Sequence, residues 1–167
     1  MPGIARSKST ALLVLLAVLL LSGCGYRLAG TADLPPELAT IHLVTRDFSD
    51  AQARALGRKL TNAGAQLVEQ GSADAVTLAV GLVVEPDRQL ISSASSGTTV
   101  NRLSRSLDFS LTDADGAALT QPQTLRQQVD IELDDDNLLA SNREKETAIQ
   151  QLEQQLYQQL IRQLTSI

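Results

Sequence analysis

Four stretches of the chain carry residue patterns typical of β-strands. Residues 40–45 are rich in β-branched side chains, and residues 75–91, 102–111 and 124–133 alternate apolar with polar side chains. Because successive side chains of a strand point to opposite faces, each alternating stretch has one apolar and one polar face. This pattern predicts an antiparallel sheet that is covered on one side only.

Two further segments repeat apolar residues every three or four positions, which is the spacing of one helix face. Residues 50–63 follow Ser49 and Gln52, which match a capping box, and precede Gly64, a C-terminal stop. Within residues 137–167 the apolar stripe is Ile149, Leu152, Leu156, Leu160 and Leu164. The outward face carries Gln150, Gln151, Gln154, Gln155, Gln158 and Gln159. The order β-α-β-β-β-α predicts an α+β fold, a two-layer sandwich with two helices packed on one face of a mostly antiparallel four-stranded sheet.

The remaining segments of this domain are read as connections. Residues 65–69 form a weak strand candidate, and the serine-rich residues 92–99 are expected at a hairpin tip. The sequence Asp113-Ala-Asp-Gly116 signals a tight turn. A calcium loop starting at Asp113 would require glycine and glutamate where Ala118 and Thr124 stand, so the turn interpretation is favoured.

The N-terminus has the pattern of an export signal. Arg6 and Lys8 precede an apolar run at residues 11–21, which is too short to span a bilayer as a helix. The run ends in Leu-Ser-Gly-Cys24, which resembles the bacterial lipobox, and Cys24 is the only cysteine. The resemblance implies cleavage before Cys24 and a covalent N-acyl and S-diacylglycerol lipid on it, with acyl chains such as palmitate. The alternative is an ordinary buried cysteine, but a lone thiol has no disulfide partner in an exported protein.

These patterns divide the chain into three parts. We expect a lipoprotein signal peptide at residues 1–23, a lipid-anchored extended arm at 24–39 and a single α+β domain at 40–167. Gly25 follows the cysteine instead of the aspartate that tends to retain enteric lipoproteins at the inner membrane. The expected location is therefore the periplasmic face of the outer membrane.

Charge and composition exclude several classes of function. Residues 1–23 contain two of the 14 basic residues and none of the 19 acidic ones, so the remainder carries a net charge of −7. A chain this acidic is poorly suited to neutralise nucleic-acid phosphates. The four aromatic residues, two Tyr and two Phe, are too few for base- or sugar-stacking platforms.

No residue constellation indicates catalysis. His42 is the only histidine, and the sequence shows no second residue that would orient it as a general base or metal ligand. No phosphate-binding loop, dinucleotide fingerprint or Gly-x-Ser-x-Gly motif occurs. We therefore expect no enzyme, no metal site and no cofactor apart from the lipid on Cys24.

The polar face of the sheet is the remaining candidate surface. It is expected to carry Arg102, Arg126 and Arg88, whereas the alternation places Arg105 among the apolar side chains of its strand. A solvated sheet face would explain these residues, but arginine is also well shaped to bind phosphate through paired hydrogen bonds. The residue pattern leaves both interpretations open.

Several short motifs, taken in their order along the chain, resemble the family of the LPS-assembly lipoprotein LptE. They are Cys24-Gly-Tyr-Arg-Leu-Ala-Gly30, Leu34-Pro-Pro, Ile41-His-Leu, Asp113-Ala-Asp-Gly116, Asn137-Leu-Leu-Ala140 and Gln159-Leu-Ile-Arg-Gln-Leu164. The resemblance implies two helices on one face of a four-stranded sheet. It also implies a plug inside the LptD β-barrel of the outer membrane that assists LPS transport to the cell surface.

The resemblance further implies contact with lipopolysaccharide (LPS) through basic residues near the hairpin and the start of the last helix. Residues 92–99 contain no basic residue, and Ser141 stands at the matching helix position. The candidate contacts for LPS or the barrel partner are therefore Arg102, Arg105, Arg126, Arg143 and Lys145. A stand-alone periplasmic lipoprotein that binds an amphiphile is the alternative function, and a hydrolase lacks any supporting residues.

Overall fold

The computed structural model describes residues 34–69, 74–93, 98–134 and 136–167. These residues belong to one unit that spans Thr31–Ile167. The predicted signal peptide, Cys24 and the arm up to residue 33 lie outside the described residues, as do positions 94–97 of the predicted hairpin tip.

The elements follow the predicted order with two additional strands. A 3₁₀ turn, Pro36–Leu38, precedes the first strand. The strands are β1 (Thr40–Arg46), β2 (Gln66–Val68), β3 (Val76–Val84), β4 (Arg88–Ser93), β5 (Thr98–Thr112) and β6 (Gln123–Asp134). The helices are α1 (Asp50–Asn62), between β1 and β2, and α2 (Leu138–Leu164), after β6.

The sheet is mixed and six-stranded, which corrects the prediction of a four-stranded, mostly antiparallel sheet. β1 runs parallel to both β2 and β3, whereas β5 runs antiparallel to β3, β4 and β6. The parallel pairs arise because the chain returns through α1 after β1, as parallel neighbours require a crossover connection. The α+β class with two helices is confirmed.

One predicted strand is divided in two by Glu85, Pro86 and Asp87. β3 and β4 both pair with the same side of β5, while β6 pairs with its other side. Val84 lies opposite Arg105 and Arg88 opposite Arg102, so three residues face two across this gap. Pro86 has no N–H to donate to a ladder, which explains why pairing stops there.

The apolar face of the sheet is covered by both helices, as the alternation predicted. Leu56 and Leu60 of α1 and Leu156, Leu160 and Leu164 of α2 are fully buried in one cluster with the central strands. The sheet contributes Ile41, Leu78, Val80, Leu82, Leu107, Phe109, Leu111 and Leu125 to this main cluster. The helical stripe of α2 is thus the main cover of the sheet.

A second, smaller apolar cluster lies further along α2. Leu103, Ile131, Ala148 and Leu152 form it. Arg105 comes between Leu103 and Leu107 on β5, with Gln127 as its partner on β6. A polar pair therefore separates the two clusters on the covered face.

The inward position of Gln159 differs from the prediction. The helical pattern placed Gln159 on the outer, glutamine-rich face of α2, but its Oε1 accepts a hydrogen bond from Gln127 Nε2 at 2.8 Å. Gln127 is a polar residue on the covered face of β6, and Gln159 of α2 is the polar side chain that bonds to it. A buried polar group that lacked such a partner would be costly.

The predicted local signals at the ends of α1 and at residues 113–116 are confirmed. Ser49 and Gln52 form a reciprocal capping box, and Gly64 has a φ of 97° just after α1. Asp113 Oδ1 accepts hydrogen bonds from the N–H groups of Asp115 and Ala117 at 3.0 and 2.7 Å. The Asp113 carboxylate therefore organises a turn.

The start of the described chain is held against the domain. Leu34 N–H donates to the carbonyl of Ala63 at 2.9 Å, and Leu38 is buried in the main cluster.

None of the described helices combines the length and the apolar character that a membrane span needs.

Tyr157 provides a test of packing in the main cluster. Its ring stacks on Phe48 with centroids 6.2 Å apart, and its buried hydroxyl has no hydrogen-bond partner among the described residues. Burial, with a smaller contribution from Glu153, raises the pKa of this hydroxyl.

We predict that Tyr157→Phe leaves the free energy of unfolding unchanged or raises it by about 1 kcal/mol, since it removes a buried unpaired polar group. Tyr157→Leu, which removes the ring, should lower it by about 1–3 kcal/mol. Urea unfolding of the three proteins is the measurement. A loss of stability in Tyr157→Phe larger than that in Tyr157→Leu would contradict this view of the site.

Candidate functional site

The face of the sheet that the helices leave uncovered is the candidate functional surface, and we call it the open face. Strand alternation brings to it the polar side chains of β1, β5 and β6, and from β3 the side chains of Thr77, Ala79 and Val83. Arg102 and Arg126 lie on it, as predicted, whereas Arg105 lies on the opposite, helix-covered face. The register of the strands arranges the polar side chains in rows across the sheet.

One row joins Arg88, Arg102 and Asp130, which are partners across β4, β5 and β6. Arg102 donates to both carboxylate oxygens of Asp130, from Nε at 2.7 Å and from Nη2 at 2.8 Å. This paired geometry, led by the hydrogen bond, lowers the pKa of Asp130 and raises the pKa of Arg102. Arg102 is therefore already bound to a carboxylate.

A second row centres on Glu85, which follows β3. One oxygen of Glu85 accepts from the Ser106 hydroxyl at 2.9 Å, and the other is paired with Arg126. Ser106 and Arg126 are partners across β5 and β6. Arg126 thus also has an internal carboxylate partner.

A third row lies toward the end of β1. Arg46, Gly81, Asp108 and Thr124 follow one another across four strands, and the Thr124 hydroxyl donates to Asp108 at 2.6 Å. A Cβ on Gly81 would stand 2.8 Å from a guanidinium nitrogen of Arg46, so glycine makes room for this arginine. Small residues line the middle of the face: Ala79, Gly81, Ser104, Ser106 and Ser110.

The other sequence-predicted basic residues lie away from the open face. Lys145 of α2 forms an ion pair with Asp87 between β3 and β4. Arg105 is 6% exposed, and its Nη1 donates to the carbonyl of Ser104 at 2.8 Å. Arg143 is exposed on α2 and forms no ion pair with a described carboxylate. The structure therefore brings Arg102 and Arg126 to one surface and separates the other three from it.

The carboxylates Glu85 and Asp130 and the cation Arg46 complete the open face, and the sequence reasoning did not identify them as site residues. Glu85 and Asp130 have the right alternation for the polar side, and Arg46 directly follows the predicted first strand. What the sequence lacks is the register, because only the register shows that Asp130 meets Arg102 and that Glu85 reaches Arg126. Alternation alone could have identified Glu85 and Asp130 as candidates.

The chemistry of the open face suits binding by hydrogen bonds. Two of its arginines, Arg102 and Arg126, are paired with carboxylates, and the hydroxyls of Ser106 and Thr124 donate to Glu85 and Asp108. His42 lies half-buried on this face. Among the described residues, no group of three His, Cys, Asp or Glu side chains is placed to hold a metal ion.

A family model and a similar known protein point to the same protein family. The family model described as LptE, Lipopolysaccharide-assembly, matches residues 38–164. The LPS-assembly lipoprotein LptE of Photorhabdus laumondii is 29% identical over 165 residues, covering 97% of this chain and 88% of that protein.

Solved structures show the same fold. The solution structure of an uncharacterised lipoprotein B from Nitrosomonas europaea has a TM-score of 0.68 at 21% identity and covers 85% of this chain and 91% of its own. The crystal structure of a minor lipoprotein from Acinetobacter baumannii has a TM-score of 0.61 at 22% identity, covering 77% and 92%. Since the family model spans most of the chain, this protein belongs to the LptE family of lipopolysaccharide-assembly lipoproteins.

Proposed function

We propose that this protein is an outer-membrane lipoprotein that plugs the lumen of an LptD-type β-barrel and assists its assembly in LPS transport to the cell surface. Membership of the LptE family supports a role in lipopolysaccharide assembly. The observation that carries the finer proposal is the polar character of both outer surfaces of the domain. The open face is mostly polar, with Val44 and Val83 exposed on it, and the exposed glutamines of α2 are polar on the other side.

Enclosure in a barrel sets a physical condition that these surfaces meet. The lumen of a large membrane barrel is polar, so a plug must present polar groups while losing part of their hydration. An unpaired charge pays heavily for lost hydration, whereas a hydrogen-bonded pair is partly compensated. The pairs Arg102–Asp130 and Arg126–Glu85 already lie on the open face. Their charges are therefore partly compensated without a partner.

The test of this proposal is affinity purification of the lipidated protein from outer membranes, followed by identification of what remains bound. We expect a large β-barrel protein to be recovered, and we expect depletion of this protein to reduce LPS at the cell surface. Recovery without any barrel protein would contradict the proposal. An acyl amphiphile bound to barrel-free protein would support the alternative of a stand-alone lipid-binding lipoprotein.

We also propose that Cys24 carries the lipid that anchors the protein. Cys24→Ser should abolish lipid attachment because the serine hydroxyl cannot replace the thiol that is acylated. We expect the variant to lack the mass of the N-acyl and S-diacylglycerol groups in mass spectrometry. A variant that keeps the lipid mass would show that the anchor is elsewhere.

The paired arginines provide a third prediction. Arg102→Asp combined with Arg126→Asp should weaken association with the barrel or with LPS at least several-fold, because carboxylates would then face Asp130 and Glu85. The domain should remain folded, since all four side chains are partly exposed. Retention on immobilised LPS and recovery of the barrel are the two measurements.

The matched control exchanges one pair, Arg102→Asp with Asp130→Arg. This variant keeps a bidentate pair in the same row. Full binding by the exchanged pair would show that the partner recognises a neutral pair, and loss of binding would show that it needs the arginine at position 102. If the double charge reversal leaves both measurements unchanged, the open face is not the contact surface.

A further inference from the structure

Strand β6 ends the sheet with a long edge that has no strand beside it among the described residues. It pairs with β5 at twelve consecutive positions, from Thr98 with Asp134 to Phe109 with Gln123, without a register shift. The strand at the opposite end of the sheet, β2, has only three residues. β4, with six residues, likewise pairs only with β5 among the described strands. The edge of β6 is therefore the longest of these edges.

The hydrogen bonds of Asp134 show which backbone groups point outward from this edge. Its N–H donates to Ser141 Oγ at 2.9 Å, and its carbonyl accepts from the Ser141 hydroxyl at 2.9 Å. Both groups thus turn away from β5. Because the N–H and C=O of a residue in an antiparallel strand point the same way and alternate along it, the next outward residues follow every second position. They are Thr124, Arg126, Gln128, Asp130 and Glu132, and all five are exposed.

Apart from the charged side chains of Arg126, Asp130 and Glu132, the edge lacks the devices that usually prevent strand addition. Proteins protect such edges with proline, lysine, bulges or very short strands. Gln123–Asp134 contains neither proline nor lysine, and its register is regular. At five positions of this unbroken strand the N–H and C=O groups point outward. They can form hydrogen bonds with the backbone of another extended chain.

Charge indicates what kind of chain fits. The end of β6 near α2 borders a cavity of about 500 Å³ whose lining includes Glu132, Asp134, Asp136 and Glu144. None of these four carboxylates forms an ion pair with a described basic residue, in contrast to Asp130 with Arg102. A strand with lysine or arginine at this end would supply the missing positive charge.

We propose that the β6 edge receives an extended, lysine- or arginine-bearing segment of the β-barrel partner as an added strand. This inference rests on the proposed function, which supplies the partner. The segment must lie outside the barrel wall, because the strands of a closed barrel are already paired on both edges. Backbone hydrogen bonds supply affinity in this mode of recognition, and side-chain contacts supply specificity.

The first test is Gln128→Pro in the full-length lipoprotein. Proline removes one outward N–H and leaves the hydrogen bonds to β5 in place, because the Gln128 N–H does not face β5. We expect barrel recovery from outer membranes to fall by about tenfold. Gln128→Ala is the matched control, since it alters the side chain and keeps the N–H, and it should recover the barrel like the original protein.

The second test does not depend on how well the proline variant folds. A photo-crosslinking amino acid is placed in turn at Thr124, Gln128 and Glu132 of the otherwise unchanged protein. Strand addition predicts crosslinks to one segment of the barrel protein, at sites about four residues apart, with a basic residue near the site that crosslinks to position 132. Crosslinks scattered over several segments, or to a second copy of this chain, would overturn the inference.

The outcomes distinguish this inference from the function on which it rests. If the unmodified protein recovers no barrel, the proposed function fails and the edge loses its proposed occupant. If the barrel is recovered and crosslinks form only from positions elsewhere, the plug proposal stands and the strand-addition proposal is wrong. Unchanged recovery by folded Gln128→Pro would likewise reject it.

Discussion

Burial of one face of the sheet beneath α2 is the interaction on which the rest of the structure depends. Leu152, Leu156, Leu160 and Leu164 repeat along the helix and are at most 1% exposed. Each such side chain contributes roughly 1.5–3 kcal/mol when fully buried. Because the helices cover only this face, every strand that alternates apolar and polar residues must present its polar side chains on the other. The open face is thus a direct consequence of how the core forms.

Polar residues have polar partners on both faces of the sheet. On the covered face, Gln127 is bonded to Gln159 between the two apolar clusters. On the open face, Glu85 accepts from Ser106 and pairs with Arg126. The acidic end of β6 differs, because its carboxylates have no basic partner among the described residues. The open face thus carries two internal ion pairs, and the end of β6 beside it is acidic.

Much of this arrangement could be predicted from the residue pattern, and its limits have physical causes. Alternation assigned Arg102 and Arg126 to the polar side and Arg105 to the apolar side. It could not show that β1 runs parallel to β3, because an alternating strand reads the same in either direction. It could not pair Arg102 with Asp130, since that depends on register, and it placed Gln159 outward because helical spacing takes no account of Gln127 in the sheet below.

Enclosure of the domain is the central claim, and thiol labelling tests it most directly. Single cysteines are introduced at Thr124 on the open face and at Gln155 on the outer face of α2, both exposed. A bulky maleimide is then applied to the purified protein and to outer-membrane fragments open on the periplasmic side. Enclosure in a barrel predicts that both positions react at least about tenfold more slowly in the membrane. Equal rates in membrane and purified protein at either position would contradict the account.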